Sequence, residues 1–187
     1  PIHRQENTGV AGMSLIELVS EVDSFFAEID KGIAAFQRST AIRCIFGCGK
    51  CCEYPRIKAS ILEFLPIACR LWDNGRSEEV YCSIRPHHTI CTFYDGNDLP
   101  SATGRCTIYE QRGLICRAFG FMALCDKAAT QLSTCKVIKH EYAETIAQLS
   151  QSVIASHLPD ISKMRARFNA IEPSLTNHKL PINQAIK

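Results

Sequence analysis

The stretch Cys44-Ile-Phe-Gly-Cys48-Gly-Lys-Cys51-Cys52 decides how the rest of the chain is read. Four sulfurs within nine residues can face one point only if the backbone coils tightly, and Gly47 and Gly49 beside Cys48 supply that freedom. Lys50 and the local amide N–H groups are placed to lower thiolate pKa values and to offset accumulated negative charge. Adjacent cysteines seldom ligate one ion together, so Cys51-Cys52 points to two metals or a multinuclear centre. The competing readings are buried thiols acting as small apolar groups, and a disulfide set.

Seven more cysteines follow: Cys69, Cys82, Cys91, Cys106, Cys116, Cys125 and Cys135, giving eleven in 187 residues, with none in either flank. An odd count fits a closed disulfide framework poorly, and such frameworks belong to short secreted domains. In a cytosolic chain this density reads as metal ligation. The N-terminus, Pro1-Ile2-His3-Arg4-Gln5-Glu6-Asn7, lacks the apolar core of a secretory signal, so the expected location is cytoplasmic. No stretch reaches the roughly 18 apolar residues that span a bilayer. A formal charge of +2, with Lys and Arg scattered, makes no basic field for nucleic acid or an anionic membrane.

Helical periodicity returns on both sides of the cysteine segment. Residues 1–13 read as a flexible lead. Ser14 and Glu17 form a capping box for a helix over about 14–39, with Leu15, Leu18, Val19, Val22, Phe25, Phe26, Ile29, Ile33 and Phe36 on one face. Gly32 weakens its middle. Ser60 and Glu63 cap a second helix in which Pro66 sits badly, so its start slips or kinks, and Asp73-Asn74-Gly75 ends it. Residues 95–104 form a surface loop, and Thr107-Ile108-Tyr109 begins a short turn of helix or strand that stops at Gly113. A helix over about 137–157 carries Tyr142, Ile146, Leu149 and Val153, and Pro159 ends it. Asp160 caps a last helix with Ile161, Met164 and Phe168 inward. The expected fold is mainly α: N- and C-terminal helices form a scaffold around an irregular, cysteine-rich metal-binding centre. It is one domain over 14–172, with its metal-binding core at 44–136 and a polar, irregular tail at 173–187. Irregular backbone buries little apolar surface, so ligand–metal bonds would supply folding energy there.

Cys91 precedes Thr-Phe-Tyr-Asp-Gly, and Gly104-Arg105-Cys106-Thr107-Ile108-Tyr109-Glu110-Gln111-Arg112 leads to Cys116-Arg117-Ala118-Phe119-Gly120. With the Cys-x3-Cys-x2-Cys-Cys head, these residues resemble the YkgJ-like cysteine-cluster proteins, a zinc- or iron-chelating domain family. The resemblance covers about residues 44–125. Seven cysteines, Ile108, Tyr109, Glu110, Arg112 and Arg117 fall at the family's positions, while Thr92 and Gly113 replace its prolines. It implies metal chelation. A flagellin lysine methylase carries a related cysteine head, so an analogy to protein methylation exists.

The candidate metal ligands are Cys44, Cys48, Cys51, Cys52, Cys91, Cys106 and Cys116, with Cys125 and Cys135 as candidates for an eighth ligand. Lys50, Tyr109, Arg112 and Arg117 are the candidates to surround the centre, with Arg112 or Arg117 balancing thiolate charge. A local Glu–Arg pair beside a packed Tyr is the plainer reading of the same residues. Cys69 reads as core, Cys82 as a weaker ligand, and His87 and His88 stand close to Cys91. Sulfur-only donors favour an iron–sulfur cluster or iron, with zinc as the alternative. The role expected is redox, metal handling or interaction with a protein partner. The alternative is a metal-dependent enzyme, with no catalytic residue identified. Cys44–Cys51 matches the radical S-adenosylmethionine head, yet the alternating strands and helices of that fold are missing. No P-loop, dinucleotide loop or His-Glu-x-x-His is present.

Overall fold

A computed structural model describes residues 12–45, 48–96, 104–126 and 129–187. The flexible lead, Gly47 and most of the 95–104 loop therefore lie outside the described residues, apart from Gly12 and Met13 of the lead. The described residues are mainly helical, with three small two-stranded sheets among them.

Helix α1 (Leu15–Thr40) starts at the capping box: the Glu17 amide donates to Ser14 Oγ (3.3 Å), and the Ser14 amide donates to Glu17 Oε2 (2.7 Å). Leu18, Val22, Phe25, Phe26, Ile29, Ile33 and Phe36 are buried at spacings of three and four, whereas Leu15 at the helix mouth is half exposed. Ala41, in the left-handed region at φ 58°, donates its N–H to Gln37 and turns the chain toward the cysteines. Strand β1 (Lys58–Ala59) precedes the second capping box. The expected slip at Pro66 occurs: Ile61–Phe64 forms a 3-10 turn, and α2 (Leu65–Asp73) begins with Pro66 in its first turn, where a missing N–H has no helical partner to lose. Gly75, at φ +67°, follows its end.

Helix α3 (Ser77–Ser83) leads to β2 (Tyr94–Asp95), which pairs antiparallel with β3 (Arg105–Cys106). A 3-10 turn (Tyr109–Gln111) and α4 (Leu114–Ala118) follow, then the hairpin β4 (Met122–Cys125) and β5 (Thr130–Ser133).

The helix expected over 137–157 is instead three pieces: α5 (Lys136–Glu141), α6 (Ala143–Ala147) and α7 (Gln151–His157). Tyr142 leaves helical geometry at φ −114°, ψ 31°, and Ser150 re-caps the chain by accepting from the Val153 amide. The periodicity survives the breaks because each piece still lays its apolar residues on the core: Tyr142, Ile146, Leu149 and Val153 are all partly buried against it.

Helix α8 (Ile161–Ile171) begins where Asp160 Oδ1 accepts from the Ser162 and Lys163 amides, and buries Met164 and Phe168. The irregular tail expected after Pro173 is instead structured. It forms α9 (Pro173–Thr176), β6 (Leu180–Pro181) antiparallel to β1, and α10 (Ile182–Ile186), which buries Ile182, Asn183 and Ala185. Three apolar residues spaced for one helical turn (Ile182, Ala185, Ile186) suffice to seat it on the second core.

There are two cores. The first stands on α1, where Phe168 packs on Phe25 and Phe26 (5.3 and 5.9 Å between ring centroids) and Phe121 meets Phe36. The second gathers Ile57, Ala59, Phe64, Ile67, Phe93, Ile182 and Ala185. Gly32 joins α1 to α7: a Cβ there would lie 2.6 Å from the His157 carbonyl oxygen. No helix among the described residues is long and apolar enough to cross a membrane.

Candidate metal centre

The cysteines meet at the seam between the two cores. Cys44 and Cys135 pack against the α1 core; Cys51, Cys52, Cys91, Cys106 and Cys116 belong to the other. A cavity of about 60 Å³ lies between them, lined by seven cysteines: Cys44, Cys48, Cys51, Cys52, Cys106, Cys116 and Cys135. Lys50, Tyr109, Arg112 and Arg117 share its wall. Cys91 adjoins from behind, its amide donating to the Cys52 carbonyl (3.2 Å).

Several elements aim these sulfurs. The Cys52 amide donates to the Gly49 carbonyl (2.8 Å), closing the turn that carries Cys51 and Cys52. Gly49 serves a second purpose: a Cβ on it would collide with the Tyr94 ring, which also occupies the space beside Gly104 at φ +80°. Tyr94 then donates to Glu53 Oε1 (2.5 Å), locking strand β2 over the cysteine turn. Cys106 sits opposite Tyr94 in β3, and Cys116 on α4. Glu63, only 3% exposed, fixes α4: its Oε2 accepts the Ile115 amide (2.9 Å) while Oε1 completes the Ser60 box.

The C-terminal helix supplies a support that no sequence signal announced. Asn183, 1% exposed, donates to the carbonyls of His88 (2.9 Å) and Ile90 (2.8 Å) and accepts from the Thr92 amide (2.8 Å), bracketing Cys91.

Of the two candidates for an eighth ligand, Cys135 reaches the cavity and Cys125 does not. Cys125 is exposed at the end of β4, within reach of Thr130 Oγ1 (3.6 Å). Cys69 lies half-buried on α2, Cys82 is exposed on α3, and His87 and His88 line a separate cleft with Pro55 and Pro181. Arg117, though it lines the cavity, has its guanidinium engaged elsewhere. It donates to Asp30 Oδ2 (2.5 Å) and the Glu110 carbonyl, lies over the Phe26 ring, and so ties α4 to α1. Nor is the Lys50 ammonium free, being 2.8 Å from Glu53. Arg112 contributes to lowering the Cys51 and Cys106 pKa values; its guanidinium stacks 3.6 Å from the Tyr109 ring centroid and donates to the Tyr109 carbonyl. The stack is an Arg–Tyr pair, and Glu110 takes no part through its carboxylate.

The thiols are electrostatically unequal. Cys52 lies at the hub, placed for weak thiol hydrogen bonds to Cys106, Cys51 and Cys91, which hold its own pKa up. As acceptors of that proton, Cys51 falls to about 6 and Cys106 to about 7, with Arg112 helping both, and Cys91 also falls. Burial, then the neighbouring Cys48, Cys51 and Cys135, pushes Cys44 up to about 11, and burial raises Cys116. Thiolates are the metal-binding form, so the cluster offers ready ligands in Cys51 and Cys106, while a cation would have to displace protons from Cys44, Cys52 and Cys116.

Among the described residues, no group of three or more His, Cys, Asp or Glu side chains is already gathered about a point that would hold a metal ion. The thiols face one another across the cavity. The donor set nonetheless fits a soft metal: seven cysteines line the cavity, two thiols are acidified, and the Arg112 guanidinium offsets charge.

A family model described as CxxCxxCC, a putative zinc- or iron-chelating domain, matches residues 43–149, from just before Cys44 through Cys135 and past α6. No curated protein and no solved structure matches the chain.

Proposed function

The chain belongs to the CxxCxxCC family of zinc- or iron-chelating domains, and from that premise we propose that its cysteines hold an iron–sulfur centre in a redox or metal-handling role toward a protein partner. Seven cysteines around one cavity, with an eighth beside Cys52, carry the reading. A single four-coordinate ion uses half that number. The ligands proposed are Cys44, Cys48, Cys51, Cys52, Cys91, Cys106, Cys116 and Cys135. When bound, such a centre supplies one-electron transfer at a potential set by charge and hydrogen bonding around its sulfurs. The chain's own contribution is placement and charge. Arg112 holds positive charge beside the thiolates, Tyr109 fixes that guanidinium, and Phe119 and Phe121 keep part of the wall apolar.

Zinc is the second reading, favoured by the size of the cavity, since about 60 Å³ suits individual ions better than a cubane. Chain purified without oxygen separates the two. Several irons with acid-labile sulfide and a broad visible absorption support the iron–sulfur reading. Colourless protein holding stoichiometric zinc replaces it with the zinc reading, and absence of any metal overturns both.

A further inference from the structure

The geometry points to a second state of this site: Cys52 and Cys91 join in a disulfide when the site is metal-free and oxidised, which closes it to metal. The inference rests on the metal-binding reading only for its consequence; the bond itself follows from backbone placement. A direct amide-to-carbonyl hydrogen bond links Cys91 to Cys52 at 3.2 Å. That bond makes the two backbones hydrogen-bonded neighbours, a separation that a disulfide can span. Both side chains are buried in the same core, at 6% and 7% exposure. Cys51 is a poor competitor for Cys52, because neighbouring cysteines bridge only through a strained eight-membered ring. Cys106 is placed for a weak thiol hydrogen bond to Cys52, but no backbone bond joins the two residues.

Access and protection are unequal in a way that suits a switch. Cys52 lines the cavity, so a small oxidant reaches it from there, whereas Cys91 sits behind it, held on both sides by Asn183. With hydrogen peroxide as oxidant, the Cys52 proton passes to the Cys51 or Cys106 sulfur. The Cys52 sulfur attacks one oxygen, the O–O bond breaks, and the departing hydroxide takes up that proton, leaving a sulfenic acid and one water. The Cys91 sulfur then attacks the Cys52 sulfur, its thiol proton leaves with the hydroxyl as a second water, and the S–S bond forms. The two sulfurs together lose two electrons and the peroxide gains them. A metal held by these sulfurs would block the first attack.

The test uses the full chain, reduced and metal-free, with zinc and ferrous iron as separate probes. Uptake by the reduced protein is measured first, then peroxide is added in stoichiometric amount and linked peptides are mapped by mass spectrometry without reduction. The expected product links Cys52 to Cys91, takes up metal roughly tenfold less or worse, and recovers both thiols and uptake on treatment with dithiothreitol. Cys51→Ala keeps the link and Cys52→Ala abolishes it. Prior loading with zinc slows its formation. A dominant Cys52–Cys106 or Cys51–Cys52 link, or sulfinic acid with no link, overturns the inference while leaving metal uptake intact. Reduced protein that takes up neither metal overturns the metal-binding reading instead, whatever the peptide map shows.

Discussion

Replacing Asn183 with alanine removes the bracket around Cys91 from a helix more than ninety residues away in sequence. The side chain makes three hydrogen bonds of 2.8–2.9 Å and is 1% exposed, so no water stands ready to replace it. Alanine leaves the Thr92 amide and the His88 and Ile90 carbonyls without that partner. Each group stranded away from water costs about 1–3 kcal/mol. The 88–92 loop is only partly buried, so the carbonyls regain some solvation, which holds the sum to about 2–4 kcal/mol. In urea, with a slope of about 2 kcal/mol per molar, the midpoint of the reduced, metal-free chain should fall by about 1–2 M. Two local readouts accompany it: the Thr92 amide loses protection against hydrogen exchange, and Cys91 reacts faster with a thiol reagent while Cys69 does not change. Asn183→Asp keeps the acceptor for Thr92 but sets a carboxylate against two carbonyls, so it should rescue little. A variant within about 0.5 kcal/mol of the parent, with Thr92 still protected, would refute the strut.

Four further outcomes are expected. Cys48→Ser and Cys135→Ser should each lower bound metal and destabilise the central segment, whereas Cys69→Ser and Cys125→Ser should leave metal content unchanged; elemental analysis decides. Gly32→Ala gains about 1 kcal/mol of helix propensity but drives a Cβ to 2.6 Å from the His157 carbonyl, and overpacking of about 1–3 kcal/mol should prevail, giving net loss in urea unfolding. The Asp160 carboxyl is held below its usual range, first by the Lys163 amide, so its stabilisation is present above the ordinary carboxyl pKa and lost as pH falls through its depressed one. The stability difference between the parent and Asp160→Asn should therefore shrink on acidification from neutral to about pH 3, and a constant gap would contradict that origin. Arg112→Gln should weaken metal uptake more than Arg112→Lys, since the lysine keeps the charge beside Cys51 and Cys106 although it loses the stack on Tyr109; equal losses would show that charge is not what the site needs.

What was legible in the sequence was whatever is written in local spacing. The two capping boxes, seven of the nine residues read as the apolar face of α1, the stop at Asn74-Gly75 and the Asp160 cap all depend on residues within a turn or two of each other. The cysteine head and its companions at Cys106 and Cys116 were equally plain, because thiols at such density have few other uses. Contacts between distant segments left no such mark. Gly32 looks like a weak point until α7 is laid across it, and Gly49 looks like a flexible hinge until Tyr94 fills the space its missing side chain leaves. Arg117 and Arg112 are indistinguishable as neighbouring cations in a motif; only the position of Asp30 on α1 shows which one is engaged elsewhere. The C-terminal segment misled for the same reason, since its polarity conceals one buried asparagine whose partners lie in the loop around Cys91.

That asparagine also governs timing. The ribosome releases Cys44 to Cys52 early in synthesis, but the loop bearing Cys91 gains its clamp only after residue 183 has left the exit tunnel. A nascent chain therefore exposes reactive thiols before it can position them all. A centre that draws on Cys91 would gain that ligand's clamp only once the C-terminal helix has docked.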